Sequence, residues 1–211
     1  MRSKLPFMPG IAKGLVLITS TLAIAASGMS SASATRVVKL DADSVQPATL
    51  VVHLGDALRW HNRDTRPHRV VSDPSGLFRT DRIAPRDTSE RLFFDSAGTF
   101  PYSVANDSAV RGAVRVPIKL RPGPNVSPTP GTLITLRVGT EQRSNLVYDI
   151  QRKRNKGRWV FLTKRTHQVR FRLRLKTTGT FWFRARVTNV GVGVRSHWSP
   201  PRKELLNTPP P

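Results

Sequence analysis

The stretch Gly55-Asp56-Ala57-Leu58-Arg59-Trp60-His61-Asn62-Arg63-Asp64-Thr65-Arg66-Pro67-His68-Arg69-Val70-Val71 contains a strand, a polar turn and a second strand that begins at a Pro-His pair. Leu58 and Trp60 alternate with polar neighbours, the period of two expected of a half-buried strand. The same alternation recurs in Val169/Phe171/Leu173/Leu175 and in Phe181/Phe183/Ala185/Val187. Beyond the N-terminal segment, no stretch sustains a helical i, i+3, i+4 apolar pattern over about ten residues. Short strands at regular spacing predict an all-β chain made of sandwiches.

The ends carry different signals. Arg2, Lys4 and Lys13 precede or interrupt an apolar run from Gly14 to Ala26, and small residues then lead to Ala32-Ser33-Ala34. Basic, apolar and A-x-A in that order predict a secretory signal over residues 1–34, cleaved after Ala34. The apolar run is about 13 residues, short of the roughly 20 that span a bilayer. An uncleaved anchor is the rival expectation, and the Ser/Ala-rich stretch after Ala26 argues against it. The expected location is secreted or cell-envelope, with no membrane span after cleavage. The chain has no Cys, so no disulfide staples it and stability must come from core burial.

Arg121-Pro122-Gly123-Pro124-Asn125-Val126-Ser127-Pro128-Thr129-Pro130-Gly131 lacks apolar periodicity and predicts an extended, semi-rigid linker. It divides the chain into a first domain at 35–120, a linker at 121–130, a second domain at 131–205 and an unfolded tail at 206–211. Charge divides the same way. Residues 36–120 hold 13 Lys/Arg against 10 Asp/Glu, whereas residues 121–211 hold 19 against 3, a net of +16. Such a surplus predicts an anionic partner for the second half, or else a merely Arg-rich, soluble surface.

The Gly55–Val71 stretch resembles the plastocyanin/azurin-like cupredoxins, in which a Gly-Asp, a Trp and an Asn lead to the first copper-binding His. Ala97-Gly98-Thr99-Phe100-Pro101-Tyr102-Ser103-Val104 and Val110-Arg111-Gly112-Ala113-Val114-Arg115-Val116 resemble the last hairpin of that family. The resemblance covers residues 36–117 and implies a Greek-key sandwich. It also implies four copper ligands, of which only His68 is present. The Cys, His and Met positions fall at Val104, Asp107 and Val110. A blue-copper centre needs a thiolate and two imidazoles around the metal, so the expectation is no cofactor. The alternative is copper held at a non-blue site by His68 with Asp107, used for electron transfer or copper handling. His61 is expected to point away from that end, opposite to Leu58 and Trp60.

No Ser/His/Asp spacing, nucleophile elbow or phosphate-cradling glycine loop occurs, so an enzyme is not expected. Tyr148 through Arg152, Gly157-Arg158-Trp159, Gly179 through Asn189 and Ser196-His197-Trp198-Ser199 resemble a fibronectin type III domain over residues 131–204. The early core Trp of that family is replaced by Leu136 or Val138. If Phe181, Phe183, Ala185 and Val187 fill a core, then Trp182, Arg184 and Arg186 project together into solvent as a binding feature. Arg170, Arg172, Arg174 and Lys176 line the outside of the preceding strand. The resemblance puts those two strands in opposite sheets, so the charge is expected to surround the domain. A dedicated nucleic-acid stripe is therefore not expected. An anionic cell-wall or extracellular polymer, or another protein, is the expected partner.

Overall fold

The computed structural model describes residues 35–105, 107–123, 126 and 128–208. The predicted signal lies outside them. The first half supplies β1 (Thr35–Leu40), β2 (Val45–Gln46), β3 (Thr49–Val51), β4 (Ala57–Asn62), β5 (Val70–Ser72), β6 (Leu92–Phe93), β7 (Gly98–Val104) and β8 (Asp107–Val116). They form two four-stranded sheets, in the orders β2-β1-β4-β6 and β3-β8-β7-β5, with β1 parallel to β4 and β3 parallel to β8. Alternation creates the core: Gly98, Phe100, Tyr102 and Val104 of β7 are buried while the residues between them are half-exposed. Trp60 is fully buried, stacked on Phe78 at 5.8 Å between ring centres and edge-on to Tyr102 at 5.6 Å.

The second half supplies β9 (Lys119–Arg121), β10 (Leu133–Arg137), β11 (Leu146–Arg154), β12 (Val160–Thr166), β13 (Arg170–Arg174), β14 (Gly179–Asn189), β15 (Val194–Arg195) and β16 (Arg202–Leu206). One sheet has the order β13-β10-β9. The other has the order β12-β11-β14, and both β15 and β16 pair with the far edge of β14. Ile134 and Leu136 of β10, Ile150 of β11 and Phe183 and Ala185 of β14 are fully buried. Each such large side chain withdrawn from water contributes ~1.5–3 kcal/mol, the stabilisation that a chain without disulfides depends on. No helix among the described residues is long and apolar enough to cross a membrane.

Two predicted boundaries move. Arg121, placed in the linker, is the last residue of β9 and pairs with Thr135. Leu206, placed in the tail, belongs to β16 and is 1% exposed, and the Asn207 amide donates to the Pro128 carbonyl. Both shifts have one cause: a strand is completed by whichever neighbour satisfies its backbone, and Pro-rich flanks conceal that partner in sequence.

The described residues of both sandwiches share one continuous apolar core. The Ala97 amide donates to Val138 O, the Thr140 amide to Asp95 O, and Thr99 and His197 exchange backbone bonds. Ser96 Oγ lies 2.9 Å from the Tyr148 hydroxyl. Gly98 is required at this junction, because a Cβ there would lie 2.5 Å from Ser196 Oγ.

Candidate functional site

At the end of the first sandwich where the resemblance implies copper, β7 and β8 close as a hairpin in which Val104 pairs with Asp107. The register shifts between Ser103, which pairs with Arg111, and Val104, so β8 carries a bulge at Ser108–Val110. The Arg111 guanidinium closes it by donating to Ser108 O, and the Ala109 amide donates to Asp107 Oδ1. Val104 and Val110 are each 2% exposed and fill the interior with methyl groups. His68 is buried, and its Nε2 lies 2.9 Å from Asp64 Oδ2. The Thr65 amide and then His68 hold the Asp64 carboxyl below the usual carboxylate range; burial opposes them and Arg66 adds to them. Asn62, fully buried, fixes the same turn: its Nδ2 donates to the carbonyls of Arg66, Ile83 and Ala84.

This donor set does not fit a blue-copper centre. One imidazole is committed to a carboxylate, two ligand positions are buried valines, and Asp107 caps a bulge. Among the described residues, no group of three or more His, Cys, Asp and Glu is placed to hold a metal.

The outward row of β14 is not simply solvated. Trp182, Arg184 and Arg186 are half-buried and belong to a ladder that alternates cations with rings. Arg186 lies 4.4 Å from the Trp198 ring centre; Arg184 lies 4.6 Å from Trp198 and 4.1 Å from Trp159; Lys153 lies 5.2 Å from Trp159 and 5.7 Å from Trp182. The guanidinium edges are used as well. Arg184 donates twice to Gln151 Oε1, at 3.0 and 2.7 Å, and Arg186 donates to Asp149 Oδ2 at 2.9 Å. Burial pushes the Asp149 carboxyl up, but the Arg165 amide and Arg186 outweigh it and the net direction is down. The expectation of freely projecting arginines is thus corrected: register with β11 places Gln151 opposite Arg184 and Asp149 opposite Arg186.

The three-stranded sheet is different. Arg170, Arg172 and Arg174 of β13 are exposed, and pairing sets Arg137 opposite Arg170, Thr135 opposite Arg172 and Leu133 opposite Arg174. On the other side of β10, Arg137 faces Lys119 and Thr135 faces Arg121. Directly paired residues share a face, so Lys119, Arg121, Arg137, Arg170, Arg172 and Arg174 lie on one cationic face, and all of these but Arg174 line, with Thr135, a depression of about 310 Å³. The acids of the second half are elsewhere. Glu141 pairs with Arg143, Asp149 with Arg186, and Glu204 is buried. Among the described residues, Lys119, Arg121, Arg170 and Arg172 have no ion-pair partner and no side-chain hydrogen bond. The charge expected to surround the domain is therefore uneven: Arg184 and Arg186 of β14 are stacked and paired, whereas Lys119, Arg121, Arg170 and Arg172 on the other sheet are open.

Sequence reasoning found Arg170, Arg172 and Arg174 by alternation and missed Lys119, Arg121 and Arg137. Lys119-x-Arg121 has the right spacing, but only the pairing of β9 with β10 brings it to this face.

No family model and no curated protein matches the chain. Similar solved structures include two oxidised amicyanin variants, one methionine-to-leucine (26% identity, 38% of this chain, 79% of that chain, TM-score 0.35) and one methionine-to-lysine (28%, 39% and 81%, 0.35). A third is the reduced Cu(I) form at pH 4 of a proline-to-glycine amicyanin variant (27%, 40% and 84%, 0.36). The chain is all-β, and its first half forms two four-stranded sheets.

Proposed function

We propose that the chain is an exported, non-catalytic binding protein that holds an anionic cell-wall or extracellular polymer on the outer face of β9, β10 and β13. The observation that carries this is the cationic surface itself: six Lys or Arg side chains gathered by strand register with no acid among them. Like charges directly opposed across strands, as in Lys119–Arg137–Arg170, destabilise a sheet. A bound polyanion removes that repulsion and releases its own counterions. The second sandwich is of the fibronectin type III kind in this proposal, supported by the division into a sheet with β10 central and a sheet with β11 and β15/β16 flanking β14. The first sandwich keeps a cupredoxin fold without its copper chemistry.

The test is chromatography of the purified protein on immobilised heparin. A triple variant Arg121→Ala/Arg170→Ala/Arg172→Ala is compared with Lys156→Ala/Arg158→Ala/Lys203→Ala, which removes equal charge from exposed positions elsewhere. Salt screens such contacts over a Debye length of ~8 Å at physiological ionic strength, so retention must weaken as salt rises. The face variant is expected to elute at clearly lower salt than the control variant. Equal losses would mean that net charge alone is responsible. Sub-micromolar copper binding abolished by His68→Ala would overturn the metal-free part.

A further inference from the structure

We infer that the polymer held on this face is a linear phosphodiester chain without bases, laid along β13 so that successive phosphates meet Arg170, Arg172 and Arg174. The inference rests on the anion-binding function proposed above and narrows its ligand.

The spacing is the first ground. Alternate residues of a strand lie ~6.7 Å apart, and neighbouring strands lie ~4.8 Å apart. Arg170, Arg172 and Arg174 are thus three cations in a straight line, at intervals matching the reach of an extended phosphodiester repeat on a short polyol. A compact anion can touch one or two of them; a linear chain can follow all three.

The second ground is what flanks that line. Arg137 lies opposite Arg170, with Lys119 beyond it, and Arg121 lies across Thr135 from Arg172. The two free oxygens of a phosphodiester diverge from a tetrahedral centre, so one phosphate can bridge cations on adjacent strands. A carboxylate presents two oxygens in one plane, a shape that a single guanidinium satisfies bidentately. Five of the six cations are arginine, the side chain best shaped for phosphate recognition. Two are held in place: Arg137 Nε donates to Gly139 O at 3.0 Å, and Arg174 Nη1 to Gly131 O at 2.6 Å. Each keeps further N–H groups for a ligand.

The third ground is what the face lacks. Its outward residues are the six cations, Thr135 and Leu133, and Phe171 of β13 lies on the opposite, inward side. Single-stranded nucleic acids are held by bases stacked on aromatic rings, at ~1–3 kcal/mol per base. No ring is available here. Trp159, Phe161, Trp182 and Trp198 lie at the other sheet.

The probes are poly(glycerol phosphate) oligomers of two, four and six repeats, oligo-dT of matching phosphate number, and a heparin hexasaccharide, read by fluorescence anisotropy. Affinity for the glycerol phosphate series should rise at least tenfold between two and four phosphates and change little by six. Arg172→Ala should weaken the tetramer about tenfold and reduce the slope of log affinity against log salt by ~0.7, one phosphate contact. Oligo-dT should bind no tighter than the glycerol phosphate of equal length. Tighter oligo-dT binding, or affinity independent of length, overturns the inference. Heparin binding that the face variants abolish, with no glycerol phosphate binding, overturns the inference and leaves the anion-binding function standing. Binding of either probe that the face variants leave unchanged overturns both.

Discussion

Arg184→Ala should be costly and Arg172→Ala should not, although both are outward arginines on alternating strands. Arg184 sits between the Trp159 and Trp198 rings, at 4.1 and 4.6 Å, and donates twice to Gln151. Two cation–π contacts at ~0.5–1 kcal/mol each are lost on truncation. Gln151 is only 8% exposed, so its orphaned oxygen costs a further ~1–3 kcal/mol. The sum is about 2–5 kcal/mol, and at ~2–4 °C per kcal/mol for a protein of this size the melting temperature should fall by roughly 4–20 °C. Arg172 has no such partners, so its truncation should change stability by less than ~0.5 kcal/mol. Circular dichroism melts of the two variants at pH 7 decide the matter. If Arg184→Ala melts within 2 °C of Arg172→Ala, the ladder is not a structural element and the argument that separates the two sheets fails. A double-mutant cycle of Arg184→Ala with Trp198→Leu should return a coupling of ~0.5–1 kcal/mol, isolating the ring contact from general loss of packing.

Two further predictions concern protons. Glu204 is 5% exposed, has no ion pair or side-chain hydrogen bond among the described residues, and burial pushes its carboxyl up. A raised native value gives stability that is full below the usual carboxylate range and is lost as pH rises through the raised value. Glu204→Leu, extending the apolar contact of Leu206, should therefore raise the melting temperature at pH 7 by a few degrees and by less at pH 4; a variant less stable at pH 7 would refute this. Asp64 has the opposite sign. Its carboxyl is held low, so its contribution is present above the usual value of ~3.9 and is lost as pH falls through the native one. The stability gap between wild type and Asp64→Asn should be constant from pH 5 to 7 and close between about pH 4 and 2; a gap that widens there would exclude the role assigned to the Thr65 amide and His68.

What could be known from sequence followed the range of each signal. Period-two alternation is local, so Trp60, Phe181, Phe183 and Ala185 are placed inside by it alone, and all four are buried. The outward sense of Arg170, Arg172 and Arg174 follows equally. Partners across strands are not local. Nothing in Gln151 or Asp149 announces that β11 will set them opposite Arg184 and Arg186, nor does Trp159 announce that it will slot between Arg184 and Lys153. The copper end shows the same limit. Val104 and Val110 can be matched to ligand positions by counting, but the hairpin and bulge that tuck both into the core depend on how β7 and β8 pair.

Two groups of cations in the second sandwich therefore have different consequences. On β14 the positive charge is stabilised internally, since rings cover guanidinium faces while Gln151 and Asp149 take their edges, which leaves fewer N–H groups and less open charge for a separate ligand. On β13 and β9 the charge has no internal compensation, and strand pairing holds it at close range against its own repulsion. Selection for solubility alone would scatter such charges or mix them with acids. A regular, acid-free array on a sheet anchored through β10 to the shared core is the arrangement expected when the missing counter-charges are supplied by a ligand.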